Sequence, residues 1–101
     1  ENIWVGTFRS NAVVKIRVSD GATLGKFAVG ERPRSQVVFD GSHIWIPNSA
    51  ENTVTQLRAS DGAHVGTFAV GAEPRGLAFD GSNIWVGNMD SNTVTRLHLG
   101  R

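Results

Sequence analysis

Residues 39–58 read FDGSHIWIPNSAENTVTQLR, and residues 79–98 read FDGSNIWVGNMDSNTVTRLH. Twelve of the 20 aligned positions are identical. An Ile-Trp pair occurs three times, and its tryptophans, Trp4, Trp45 and Trp85, lie 41 and then 40 residues apart. Such self-similarity indicates that the chain is built from an internal repeat of 40 to 41 residues.

The repeat extends beyond those two segments. Residues 19–30 (SDGATLGKFAVG) and 60–71 (SDGAHVGTFAVG) agree at 9 of 12 positions, and residues 2–16 are a third, more diverged copy. Each period holds four short runs rich in Val, Ile, Thr, Trp and Phe, separated by turn signals, and no stretch keeps a helical period. A period of about 40 residues also suits pairs of helices, but this pattern predicts an all-β fold of propeller blades.

Four antiparallel strands, A to D, are predicted for each blade. Strand A ends in an Asp-Gly turn, at Asp40 in one copy and Asp80 in the next, and turn chemistry accounts for both residues. The predicted bounds are 76–79 for strand A, 83–87 for strand B, 93–99 for strand C and 64–70 for strand D. Counting along the chain gives ten strands, or about 2.5 blades.

The strand count also divides the chain. Residues 1–30 are predicted to form a partial blade of strands B-C-D, residues 31–71 a complete blade, and residues 72–101 a partial blade of strands A-B-C. Propellers close with about four to eight blades, so this chain is expected to form an incomplete ring. Because open edge strands pair or aggregate, the expected partners are other blades of a longer propeller, or copies of the chain added through those edges.

One motif resembles a known family. Residues 85–88 (WVGN), followed by 91–94 (SNTV), resemble the motif that names the YVTN repeat β-propellers, with Trp85 where the motif has Tyr and Gly87 where it has Thr. The segment 69–74 (AVGAEP) resembles the blade junction of that family. NHL-type and streptogramin lyase-like propellers are more distantly similar. The resemblance implies the propeller fold and a secreted, periplasmic or cell-surface location.

Composition excludes several kinds of function. The 101 residues carry 10 Lys and Arg against 9 Asp and Glu, and this near-neutral balance argues against nucleic-acid binding. There is no cysteine for a disulfide or a thiolate site, and no apolar run long enough to span a bilayer. The three histidines lack metal-ligand spacing, and no phosphate-binding loop or catalytic motif is present. No cofactor, metal site or catalytic residue is therefore predicted.

A candidate ligand surface lies at one end of the blades. Strand alternation brings the D-to-A and B-to-C loops together there, and we call this end, with residues 31–34, 48–52, 72–75 and 88–92, the arginine end. Arg34 and Arg75 each follow a proline and start an innermost strand near the mouth of the expected channel. Such arginines suit an anionic small molecule, a glycan or a protein ligand. The alternative is an ion pair with Glu31, with Glu73 or with a neighbouring blade.

Two further sets of residues recur at equivalent positions. Asn48 and Asn88 stand in the B-to-C loops at the arginine end, where they are candidates for ligand binding; the alternative is that they bond nearby backbone. Trp4, Trp45 and Trp85 are expected to pack between blades, since a tryptophan buries a large area; the alternative is stacking on a sugar.

Three functions remain open at this point. The blades are near-copies, which favours a non-enzymatic binding scaffold, because a catalytic propeller usually needs blade-specific residues. A lyase- or lactonase-like enzyme is the first alternative, with its catalytic residues in other blades; Asn48 and Asn88 stand where the lyase-like pattern commonly has an acidic residue. The second alternative is a structural subunit of a larger surface assembly, recruited by strand addition along residues 2–8 or along strand C.

Overall fold

Three antiparallel sheets make up the chain. The computed structural model describes residues 2–7, 9–34 and 37–98, which contain ten strands and no helix. The strands are β1 (Asn2–Thr7), β2 (Ala12–Arg17), β3 (Thr23–Ala28), β4 (Val38–Phe39), β5 (His43–Asn48), β6 (Thr53–Arg58), β7 (His64–Ala69), β8 (Pro74–Phe79), β9 (Asn83–Asn88) and β10 (Thr93–His98). Strands β1-β2-β3 form the first sheet, β4-β5-β6-β7 the middle sheet and β8-β9-β10 the last sheet. The predicted all-β fold of antiparallel propeller blades is confirmed.

The predicted strands A, B, C and D correspond to β8, β9, β10 and β7, and their bounds differ by no more than two residues. Residue 99, the predicted end of strand C, and residue 8, the end of the edge segment 2–8, lie outside the described residues. The first strand of the middle sheet, β4, is short, and ahead of it Pro33 makes an isolated bridge to Asn48. Within the described ranges, no helix is long and apolar enough to cross a membrane.

The Asp-Gly turns are tied to the tryptophans. The Asp40 carboxylate accepts backbone N–H bonds from Ser42 and His43 at 2.9 and 2.7 Å, and its other oxygen accepts the indole N–H of Trp45 at 2.9 Å. Asp80 repeats the arrangement, with the indole of Trp85 at 2.8 Å. The glycine that follows each aspartate has a φ near 100°, a conformation open to glycine alone. The turn therefore fixes the orientation of the tryptophan five residues later.

The sheets pack face to face. Because successive side chains of a strand point to opposite faces, the residues on each face follow from the sequence. We call the face that carries the tryptophan the forward face and the face that carries the preceding isoleucine the backward face. The forward face of the first sheet packs on the backward face of the middle sheet through Trp4, Val13, Phe27, Ile44, Ile46 and Leu57. The forward face of the middle sheet packs on the last sheet through Trp45, Val54, Phe68, Leu77, Ile84 and Val86. Each interface is therefore built from the same repeat positions.

Both interfaces contain the same aromatic pair. The ring centroids of Trp4 and Phe27 are 5.5 Å apart, and those of Trp45 and Phe68 are 5.6 Å apart, with similar tilts of 37° and 33°. Trp45 is almost fully buried, so it contributes packing between sheets and offers no surface to a sugar. The two rings of each pair belong to one sheet, so the first and middle sheets present the same aromatic pair to the sheet that packs on them.

Candidate ligand-binding surface

The junctions that lead from one sheet to the next are anchored at the arginine end. Arg32 and Glu73, each just before a proline, adopt positive φ values of 53° and 56°. Their backbone N–H groups donate to the side-chain oxygens of Asn11 and Asn52 in the preceding sheet, at 3.1 and 3.0 Å. Asn11 and Asn52 are themselves at positive φ, which asparagine tolerates better than most residues. Each junction is thus held against the loop of the blade before it.

A charged cluster spans the middle and last sheets. One oxygen of Glu73 lies 2.6 Å from the Arg75 guanidinium and 3.6 Å from the Arg34 guanidinium. Arg34 precedes the middle sheet, whereas Glu73 and Arg75 belong to the junction and first strand of the last sheet. The alternative to ligand binding by these arginines was an ion pair with Glu31, with Glu73 or with a neighbouring blade. The structure contains this ion pair, with Glu73 between the two arginines.

Asp90, from the loop between β9 and β10, completes the cluster. The hydrogen bond from Arg75 lowers the pKa of Glu73, and Asp90 lowers it further. The neighbouring Glu73 carboxylate in turn raises the pKa of Asp90. Asp90 therefore keeps its proton to higher pH than an isolated aspartate does.

The cluster lines an open cleft of about 350 Å³. Its walls come from the junctions and loops of two neighbouring sheets, and the lining residues are Arg32, Arg34, Ser49, Ala50, Asn52, Ala72, Glu73 and Asp90. Guanidinium groups bind planar oxyanions through paired N–H donors, so a cleft with several of them can hold a carboxylate, a phosphate or a sulfate. Arg32 and Asp90 were not among the ligand residues predicted from the sequence. The prediction that B-to-C loops and junctions lie at one end of the blades nevertheless places both residues at this end.

Asn48 and Asn88 are buried among the loops of the same end. The Asn48 amide donates to the hydroxyls of Thr53 and Thr55 at 3.2 and 2.7 Å, and its oxygen accepts the N–H of Gly30 at 3.1 Å. These bonds occupy both ends of the amide, so a ligand would have to displace one of them. The alternative interpretation expected bonds to nearby backbone; the one backbone bond comes from Gly30 in the preceding junction, and the other two go to side chains of β6.

Asn88 differs from Asn48 in one bond. Its amide nitrogen donates to Thr93 and Thr95 as Asn48 does to its threonines, but its buried oxygen meets no donor within the described residues. Asn88 and Arg75 both line an open hollow of about 310 Å³ on the forward side of the last sheet. The structure therefore places two of the four predicted ligand residues at this hollow, Arg34 in the cleft, and Asn48 within the loop packing.

The opposite end of the blades carries a different repeated pair. Arg17 lies 3.1 Å from Asp20, and Arg58 lies 3.0 Å from Asp61. The hydrogen bond with Arg58 lowers the pKa of Asp61. These exposed pairs brace the C-to-D turns and line none of the cavities described above. Across residues 2–7, 9–34 and 37–98, no three His, Cys, Asp or Glu side chains are grouped so that they could hold a metal ion.

Comparison with known proteins concerns the fold. No protein-family model matches the sequence, and no curated protein matches it in sequence. The solved structure of Kuenenia stuttgartiensis hydrazine synthase superposes on 97% of this chain and 29% of that chain, with a TM-score of 0.86 and 19% identity. A functionally unknown protein from Desulfotomaculum acetoxidans DSM 771 superposes on 87% of this chain and 34% of its own, with a TM-score of 0.63 and 17% identity.

Identities below 20% show the fold alone. This chain spans about a third of the length of each solved structure, so the likeness concerns a part of each of those proteins. The likeness to hydrazine synthase extends over 97% of this chain. The chain therefore has a β-propeller-like fold.

Proposed function

We propose that the chain belongs to a non-enzymatic propeller of the YVTN repeat kind, which binds an anionic ligand at its arginine end and forms part of a secreted or cell-surface protein. The observation that carries this proposal is the position of Glu73, whose carboxylate bridges Arg34 and Arg75 across two sheets at the wall of a cleft. Arginines from different blades then act on one ligand.

The charges of the cleft favour an anion. Arg32 and Arg34 line the cleft beside Glu73 and Asp90, and Arg75, which lines the neighbouring hollow, neutralises Glu73 through its ion pair. Glu73 is held closely by Arg75 and more loosely by Arg34, so an anionic ligand competes with Glu73 for Arg34. A ligand carboxylate, phosphate or sulfate would occupy the cleft as a further acceptor.

The near-identity of the blades supports a scaffold more than an enzyme. The same junction and the same loops recur at 40- to 41-residue spacing, so the chain repeats one set of groups instead of converging different ones on a reacting atom. The name of hydrazine synthase describes an enzyme, but the likeness at 19% identity supports the fold and brings no catalytic residue to this chain.

Titration calorimetry with three probes, succinate, inorganic phosphate and a sulfated disaccharide, tests the proposal at low ionic strength. We expect one of these anions to bind, and Arg34→Gln or Arg75→Gln to weaken its binding at least tenfold. Arg58→Gln is the matched control, because it removes an ion-paired arginine from the opposite end. Added salt should weaken binding, since the cleft is open to solvent.

A variant that should tighten anion binding provides a second test. Glu73→Gln removes the carboxylate that competes for the arginines, so it should tighten anion binding severalfold. If none of the three probes binds, or if Arg58→Gln weakens binding as much as Arg34→Gln does, the arginine end is not an anion site.

A further inference from the structure

The forward face of the last sheet is exposed at positions that are buried elsewhere in the chain. Trp85 is 38% exposed, whereas its counterpart Trp45 is 2% exposed. Val94 is 67% exposed, whereas Val54 at the same repeat position is fully buried. The same residue types thus make a sheet interface in one blade and an uncovered apolar surface in the next.

The backward face of the first sheet is also exposed at a position that is buried in the other sheets. Ile3 is 49% exposed, whereas Ile44 and Ile84 at the same repeat position are 2% and 0% exposed. Both of these isoleucines lie in sheet-to-sheet cores, Ile44 against the first sheet and Ile84 against the middle sheet. In both sheet-to-sheet interfaces of the chain, a forward face is therefore covered by the backward face of the next sheet.

A polar contact fixes the relative position of two stacked sheets. Lys15 lies over the ring of Trp4, 5.3 Å from its centroid, and its ammonium group donates to the backbone oxygen of Ala59 in the middle sheet at 3.4 Å. Arg96 holds the corresponding place over Trp85, at 6.0 Å. The position that corresponds to Ala59 in the first sheet is Val18, which is exposed.

We propose that the forward face of the last sheet docks on the backward face of the first sheet of a second copy. Trp85 and Val94 then cover Ile3, and Arg96 donates to the backbone oxygen of Val18, as Lys15 does to that of Ala59 within one chain. The contact runs through sheet faces and not through edge strands.

Two copies satisfy both faces at once. These 101 residues carry one exposed forward face and one exposed backward face, so a pair of copies related by a two-fold axis makes two equivalent contacts. The pair stacks six sheets around one axis, within the four to eight blades of known propellers. This inference does not depend on anion binding at the arginine end.

Analytical ultracentrifugation of the 101-residue chain over a hundredfold range of concentration tests the docking. We expect a species with twice the mass of one chain. Val94→Asp or Ile3→Asp places a charge in the contact and should raise the dissociation constant on the order of 100-fold. Val65→Asp is the control, because Val65 is an exposed valine of the middle sheet and belongs to neither of the two sheets that dock.

Mixing the two variants separates face docking from edge pairing. The Val94→Asp chain keeps its backward face and the Ile3→Asp chain keeps its forward face, so together they should form a mixed pair through one intact contact, although each alone is monomeric. A chain that is monomeric throughout overturns the proposal, as does a dimer that both variants leave unchanged. A ladder of larger oligomers would overturn the closed two-copy ring.

A cross-link gives a readout that does not depend on weakening the contact. The chain has no cysteine, so Arg96→Cys in one copy and Val18→Cys in the other introduce two thiols at known places. A short bis-maleimide should join the two variants into one covalent pair. The control uses Arg58→Cys in place of Arg96→Cys, and equal yields from both pairs would contradict the predicted contact.

Discussion

Replacing Trp45 or Trp85 by phenylalanine tests how burial determines the contribution of one hydrogen bond to the free energy of unfolding. Trp45 and Trp85 donate to Asp40 and Asp80 over nearly the same distance, 2.9 and 2.8 Å. Asp40 and Trp45 are buried, whereas Asp80 and Trp85 are reached by solvent. Phenylalanine keeps the ring and removes the N–H, so the pair of variants compares the same bond in two environments.

The expected cost for Trp45→Phe follows from the structure. Removal of the donor leaves a buried carboxylate oxygen without its indole partner, which costs about 2 kcal/mol. The smaller ring adds about 1 kcal/mol through lost packing against the last sheet. The total of about 3 kcal/mol lowers the melting temperature of a domain of this size by roughly 15 °C. For Trp85→Phe the cost should be a small fraction of this, because water replaces the indole at Asp80.

Urea denaturation followed by far-UV circular dichroism at pH 7 measures both variants. Protein concentration should be kept low, so that docking of a second copy does not cover Trp85. Equal destabilisation by Trp45→Phe and Trp85→Phe would refute the reasoning, since it would mean that burial of the aspartate does not set the cost. A larger effect of Trp85→Phe would contradict it more strongly.

Two further predictions concern acid sensitivity and the junction glycine. Burial alone would raise the pKa of Asp40, but its hydrogen bonds from Trp45, Ser42 and His43 outweigh burial and lower the pKa from 3.8. The ionised carboxylate therefore stabilises the fold above that pH, and this stabilisation is lost as the pH falls. Asp40→Asn should reduce the pH dependence of the free energy of unfolding measured between pH 6 and pH 2. A Cβ at Gly71 would lie 2.7 Å from buried Asn88, whereas one at Gly87 would come no closer than 3.9 Å to any atom; thermal melts should show Gly71→Ala as clearly destabilising and Gly87→Ala as neutral or stabilising by about 0.5 kcal/mol.

The repeat made most of the fold predictable. Alignment of residues 39–58 with 79–98 shows where apolar runs and turn signals recur, and because strand period and turn chemistry are local properties, the strand bounds follow from them closely. The packing of Trp4 and Trp45 between sheets was also predicted, since residues at the same repeat position meet the same neighbour where a following sheet is present. The chain's resemblance to the YVTN repeats remains a proposal beyond the propeller-like fold.

The site was less predictable because its bonds join residues from different repeats. Arg34 pairs with Glu73, 39 positions away, whereas the sequence left open an ion pair with Glu31, with Glu73 or with a neighbouring blade. The bond from Trp45 to Asp40 was missed for a different reason: turn preference explained the aspartate by itself and gave no cause to look for a second partner. The proximity of Asp90 to Glu73 arises within the last sheet, where the backbone N–H of Asp90 donates to the backbone oxygen of Ala72 in the junction before β8.

The stacking of sheets also determines the order in which parts of the chain unfold. The two hydrophobic cores join the middle sheet to the first and to the last sheet, and each junction is bonded to the blade before it through Asn11 or Asn52. Local stability in such an array is close to a sum of intrinsic and nearest-neighbour terms, as in a one-dimensional Ising chain. The middle sheet has two neighbours and the outer sheets have one each. Amide hydrogens should therefore exchange most slowly in β5 and β6, and unfolding should begin at the ends of the stack and move inward.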